Sequence, residues 1–127
     1  MITVKEAIKI HKILIEEFGG TNGIRDTGAL ESAINRPYAT FNSAELYPDP
    51  VEKATAIIES IIVKHPFVDG NKRVGYVLMR LLLLKQGYDI RASEEEKYSF
   101  VIGIASGQWK TEHIRIWLQE HVSMKNI

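Results

Sequence analysis

The chain has 127 residues, enough for one buried core and too few for two. Sixteen basic residues balance sixteen acidic ones, which excludes an overall field for sequence-independent binding to nucleic acid or an anionic membrane, so any anion site must be local. No cysteine is present, which excludes disulfides and thiolate metal sites and agrees with a reducing cytosol.

The opening MITVKEAIKIHK interleaves apolar and charged residues, unlike a signal peptide. Thr3 to Glu6 reads as a capping box, with Ile2 available to staple against Ala7, so a helix starts here. Val4, Ala7, Ile8, Leu14, Ile15 and Phe18 recur at helical spacing as its inner stripe, and Gly19-Gly20 ends it. His11 lies within that stripe and reads as a hydrogen-bonded structural histidine. After GGTNGIRD, a short helix is expected from Thr27 to Asn35, with Leu30, Ala33 and Ile34 on one face and Pro37 barring continuation. Arg25 and Asp26, just before it, fit a structural ion pair or a site contact equally. The next segment, YATFNSAELYPD, has neither helical nor alternating periodicity and is longer than a usual connection. It is either a functional loop or a loop pinned to the core by Tyr38, Phe41 and Tyr47.

Asp49-Pro50-Val51-Glu52 is the strongest helix start, with an Asp N-cap, Pro in the first turn and Glu at the third helical position. Val51, Ala54, Ile58, Ile61 and Ile62 make its stripe, and Pro66 pushes His65 out of the helical region, so the helix stops near Lys64. A further helix runs from Asn71 to Gln86, closed by Gly87. Its Val74, Val77, Leu78, Leu81 and Leu82, with Met79, Leu83 and Leu84, mark a central helix packed on several sides. The longest apolar run, VLMRLLLL, contains Arg80 and falls far short of the roughly 20 residues of a membrane span. Tyr88 to Arg91 is a possible extended piece. Ser93 to Glu96 is a second capping box, opening a helix whose inner face is expected at Tyr98, Val101, Ile102 and Ala105. Thr111, Ile114, Trp117, Leu118 and Val122 give a last helix, with Trp109 and Trp117 as packing residues and His113 and His121 exposed. The expected architecture is all-α: a single domain over 1–127, about six helices around residues 71–86, in a soluble cytoplasmic protein.

HPFVDGNKRVG, residues 65–75, joins the end of one helix to the start of the central one. First-turn amides have no partner within a helix, and the dipole there favours negative charge. Gly70 permits positive φ, which lets successive N–H groups converge on an anion. Lys72 and Arg73 sit in that first turn, where cations are unfavourable by a few tenths to about 1 kcal/mol, so the pattern asks for an anion. Asp69 suits Mg²⁺, which takes few carboxylates and completes its shell with phosphates and water. The neutral imidazole of His65 can accept a proton near pH 7, and Phe67 would anchor the bend and fix that imidazole. The plainer alternative is a capped turn, with Asp69 or Asn71 on the helix amides and solvated cations. The spacing is not that of a P-loop, a Ser-His-Asp system or a His-rich metal site.

HPFVDGNKR resembles the signature of the Fic/Doc family, H-x-F-x-D/E-G-N-G/K-R, in the version with lysine before arginine that characterises its Doc (death on curing) branch. The similarity extends to FGGTNGIRDTGALESAINRP before the motif and LLLLKQGYDI after it. The family's compact helical fold is then expected. The resemblance implies ATP-dependent modification of a protein hydroxyl: phosphate transfer in the Doc branch, whose type member acts on elongation factor Tu and arrests translation, or AMP transfer in other members. It implies His65 as general base, Asp69 as Mg²⁺ ligand, Gly70 and Asn71 as the anion nest, and Lys72 and Arg73 as phosphate-binding cations. A nucleotide-binding module without turnover is the alternative of another class. Residues 38–48 fall where the family places a flap that aligns the target peptide. AMP-transferring members have a second arginine where this chain has Tyr76, and a glycine where it has Lys72; both differences favour phosphate transfer. The inhibitory pattern [S/T]-x-x-x-E-[G/N] is matched only loosely at Thr27 to Ser32 and Thr55 to Ser60, which end in serine. Restraint is therefore expected from a separate antitoxin whose disordered tail folds onto the toxin. Direct binding to DNA or a membrane is not expected.

Overall fold

The structure is a computed structural model that describes residues 1–125. Among the described residues six α-helices and four short strands follow in chain order. They are α1 (Val4–Phe18), α2 (Thr27–Asn35), β1 (Thr40–Phe41), β2 (Ala44–Glu45), α3 (Pro50–Lys64), α4 (Asn71–Lys85), β3 (Tyr88–Ile90), α5 (Glu94–Ala105), α6 (Thr111–His121) and β4 (Val122–Met124). A 3-10 turn, Arg36–Tyr38, follows α2. The all-α expectation holds, and the starts follow the capping chemistry. Thr3 with Glu6, and Ser93 with Glu96, form reciprocal capping boxes, while Asp26 and Asp49 cap α2 and α3. Such caps contribute about 1 kcal/mol each.

The centre is shared by two helices. On α3 the run Ala54, Thr55, Ala56, Ile57, Ile58 is buried without a break, followed by Ser60, Ile61 and Ile62, so its burial extends well beyond one stripe. α4 buries Val74, Gly75, Leu78, Met79, Leu82 and Leu83 against it. Gly75 allows the approach, since a Cβ there would lie 3.1 Å from Ile62 Cγ1 and 3.3 Å from Ile61 Cγ2. The remaining helices pack around this pair, α2, α5 and α6 on α3 and α1 on α4.

Three expectations about faces change. On α1, Ala7 and His11 are buried, but Ile8 and Phe18 are exposed, because α1 covers only one edge of the central pair. On α5, the buried residues are Phe100, Gly103 and Ile104, whereas Tyr98, Ile102 and Ala105 are exposed. Apolar side chains occur nearly all round α5, and aromatic packing selects the face: Phe100 stacks on Trp117 at 3.9 Å and meets Trp109 edge-on. His121 is half-buried instead of exposed, stacked on Trp117 and paired with Glu96; His113 is exposed as expected, against Trp109.

The segment expected to be irregular is a β-hairpin, with Thr40 opposite Glu45 and Phe41 opposite Ala44. Asn42 and Ser43, at φ 51° and 66°, make the two-residue turn, which matches strand twist when both central residues have positive φ. Two-residue strands are too short to show alternation. Tyr38 and Tyr47 do anchor it, through Ile2 N to the Tyr38 hydroxyl and Arg36 Nε to the Tyr47 hydroxyl. Phe41 does not: it is 69% exposed. The extended piece after α4 is β3, which pairs antiparallel with β4.

Candidate active site

His65 ends α3 in the left-handed conformation, at φ 50° and ψ 57°, because Pro66 disfavours a further helical residue. Histidine tolerates this region better than branched residues, and the neighbourhood holds it there. Arg25 donates from Nε to the His65 carbonyl at 2.6 Å and from Nη2 to the Lys64 carbonyl at 2.5 Å, capping the end of α3. The amides of Arg25 and Asp26 both donate to the Pro66 carbonyl, and Val68 N donates to the Gly23 carbonyl. The loop after α1 is thus stitched along the bend. Arg25 is neither a partner of Asp26 nor a site cation; Asp26 caps α2. Sequence spacing could not reveal this brace, which joins residues 40 positions apart.

Inside the bend, Phe67 is 1% exposed. Its ring stacks on His11, not on His65, at 3.9 Å with 6° between the planes. His11, 2% exposed, donates from Nε2 to the Asp69 carbonyl at 2.8 Å, which gives the buried histidine the structural role expected of it. The Asn71 side chain is also a clamp: Oδ1 accepts from Phe67 N at 3.0 Å and Nδ2 donates to the Phe67 carbonyl at 2.9 Å. Only the backbone of Asn71 is left to serve an anion.

Gly70 caps α4 at φ 77° and ψ 16°, and no side chain caps the first turn of that helix. The Asn71 side chain does not satisfy those amides, and Asp69 reaches only the amide of the N-cap residue Gly70. Asp69 Oδ2 accepts from Thr21 N at 3.0 Å and Oδ1 from Gly70 N at 2.8 Å. These two backbone hydrogen bonds, Thr21 first, hold its exposed carboxyl below the usual aspartate range. Lys72 and Arg73 are exposed, and with His65, Val68, residues 69–71 and Ala105 they line one open cavity of about 490 Å³. The structure thus brings together every site residue expected from the sequence.

His65 reaches this cavity with one nitrogen engaged. Nδ1 lies 3.1 Å from the Val63 carbonyl, and a carbonyl can only accept, so Nδ1 carries the hydrogen. The neutral ring then offers the lone pair of Nε2, the form a general base requires. A base, a fixed carboxylate, free helix amides and two cations around one cavity suit proton removal beside a phosphate.

The sequence profile of the Fic/DOC family matches residues 1–83, from the first residue into α4. The chain belongs to the Fic/DOC family. The matched span contains the bend and all the candidate residues of this Fic/DOC site. Toxin Doc of Mycolicibacterium smegmatis (strain ATCC 700084 / mc(2)155) is 37% identical over 75 residues, 59% of this chain and 58% of that protein. The aligned part therefore spans less than two thirds of that Fic/DOC relative. One turn beyond Arg73, Tyr76 is half-buried; its hydroxyl is enclosed without a hydrogen-bond partner, and burial pushes its pKa up.

Among the described residues no helix is long and apolar enough to cross a membrane. No group of three or more His, Cys, Asp or Glu side chains forms a metal cage among them either.

Proposed function

We propose that the chain is the toxin of a toxin–antitoxin pair and transfers the γ-phosphate of ATP to a Ser or Thr hydroxyl of a target protein such as elongation factor Tu, arresting translation in the cytoplasm. The observation that carries this reading is the shared cavity of His65 and the uncapped first turn of α4. In the reaction, Nε2 of His65 takes the proton of the target hydroxyl, whose oxygen attacks the γ-phosphorus; the bond to the β–γ bridging oxygen breaks and ADP leaves. General-base removal of that proton accounts for about 10²- to 10⁴-fold in rate. The amides of residues 71–73, Lys72 and Arg73 meet the phosphate charge, the positioning and electrostatic work that phosphoryl transfer demands.

Asp69 fits Mg²⁺: it is ionised at neutral pH, exposed, and held by two amides, and Mg²⁺ commonly takes one or two carboxylates with substrate phosphates and water. When bound, the ion neutralises phosphate charge and orients the phosphates. Phosphate transfer is favoured over AMP transfer by Lys72 in the nest and by Tyr76, an apolar-packed side chain that supplies no cation for further phosphates. The β1–β2 hairpin, with exposed strands, supports alignment of an extended target segment by strand addition. The antitoxin would restrain the toxin through a segment that folds on binding.

Expression in a bacterial host tests the enzymatic reading against a module that only binds. Wild type should arrest growth, and His65→Ala should abolish arrest while the protein stays folded. Arrest that survives His65→Ala would sink the enzymatic reading.

A further inference from the structure

Phe18, at the end of α1, is 62% exposed despite lying on a helix with a buried stripe. Its ring faces the guanidinium of Arg73, with Cζ 4.5 Å from the ring centroid. Among the described residues no ion pair joins Arg73 to a carboxylate. Asp69 precedes Arg73 by four positions but lies outside α4, ahead of the left-handed Gly70, and the Arg73 charge reaches its carboxyl only as a minor lowering influence. A direct pair would tie up the carboxylate assigned to Mg²⁺ and the guanidinium assigned to phosphate.

The two groups are instead held by neighbouring parts of one turn. Thr21 N binds Asp69 Oδ2, and Gly20 makes room for that contact, since a Cβ there would lie 2.8 Å from the same oxygen. Two residues before Gly20, Phe18 holds Arg73. An aromatic face attracts a guanidinium without consuming its N–H donors, which stay available to a planar or tetrahedral anion.

We infer that Phe18 is a positioning residue, whose ring holds the Arg73 guanidinium short of a direct ion pair with Asp69, so that carboxylate and cation remain separately available to Mg²⁺ and phosphate. This rests on the proposed function only in assigning Arg73 to phosphate. The cation–π contact itself is a feature of the free protein.

The test uses Phe18→Leu, which keeps bulk and loses the ring, and Phe18→Tyr, which keeps the ring. By NMR of the free protein, the Arg73 Nε–H resonance should lose its ring-current shift in Phe18→Leu and keep it in Phe18→Tyr. Mg·ATP affinity should fall about two- to fivefold in Phe18→Leu, be restored in Phe18→Tyr, and show no further loss when Phe18→Leu is added to Arg73→Ala. An unchanged Arg73 resonance, or an equal loss of affinity in the Arg73→Ala background, overturns the inference. Wild-type protein that shows the Arg73 signature but does not bind Mg·ATP overturns the phosphate assignment instead, and with it the positioning role.

Discussion

Asn71 holds the bend, and His65 is the residue proposed to react. The Asn71 amide satisfies both backbone groups of Phe67, so Asn71→Ala leaves two buried polar groups without partners, at a cost of about 1–3 kcal/mol. Denaturant unfolding should show that loss, and a variant as stable as wild type would refute the clamp. Asn71→Asp should not rescue it, because a carboxylate cannot donate to the Phe67 carbonyl. That His65, Asp69, Lys72 and Arg73 converge on one cavity is legible in the sequence, because they lie close together on one bend. The sequence leaves Arg25 open and assigns Phe67 to the wrong imidazole, because both roles depend on loops brought together across the chain. His11 was readable as structural from its place in an apolar stripe, but its partners were not.

At the level of elements, caps and breakers mark helix ends well, and faces less well. Ser93, Asp49 and Gly87 act through the nearest few backbone groups, so local sequence contains the whole signal. The face of α5 is decided by Phe100 and Gly103 meeting aromatics of the following segment and α6, which no periodicity encodes. Gly103→Ala tests that account: a Cβ would lie 2.7 Å from the Trp109 indole, so overpacking should destabilise by about 1–3 kcal/mol even though alanine is the better helix former. A raised melting temperature would contradict it. The hairpin makes the opposite prediction. Phe41 is 69% exposed, so Phe41→Ala should leave stability within about 0.5 kcal/mol and Mg·ATP binding unchanged, while lowering transfer to the protein target. Unchanged transfer would remove the hairpin from target alignment.

Across the whole molecule, α3 and α4 form one closely packed pair, and the bend between them carries the candidate site. The apolar run of α4 makes its centrality legible. That of α3 is less so, because Thr55 and Ser60 interrupt the apolar pattern although both are buried, Thr55 by bonding back to the Val51 carbonyl. Acid should loosen the periphery first. Arg80 beside Asp89 holds that carboxyl below the ordinary range, so the pair tethers α4 to β3. A depressed folded pKa means the stabilisation is fully present above the unfolded value of about 3.9 and is lost as pH falls through the folded value. Asp89→Asn should therefore be less stable than wild type at pH 7, with the difference vanishing near the acid end of a urea-unfolding series. A difference that grew with acidity would contradict the sign.

The central claim is that this cavity moves the γ-phosphate of ATP to a protein hydroxyl with His65 as base. Purified wild type and His65→Ala should each be incubated with Mg²⁺, a bacterial extract, and ATP labelled at either the α- or the γ-phosphorus. The expected result is protein-bound label from γ-ATP alone, with wild type alone. Label from α-ATP, or equal labelling by His65→Ala, would contradict it.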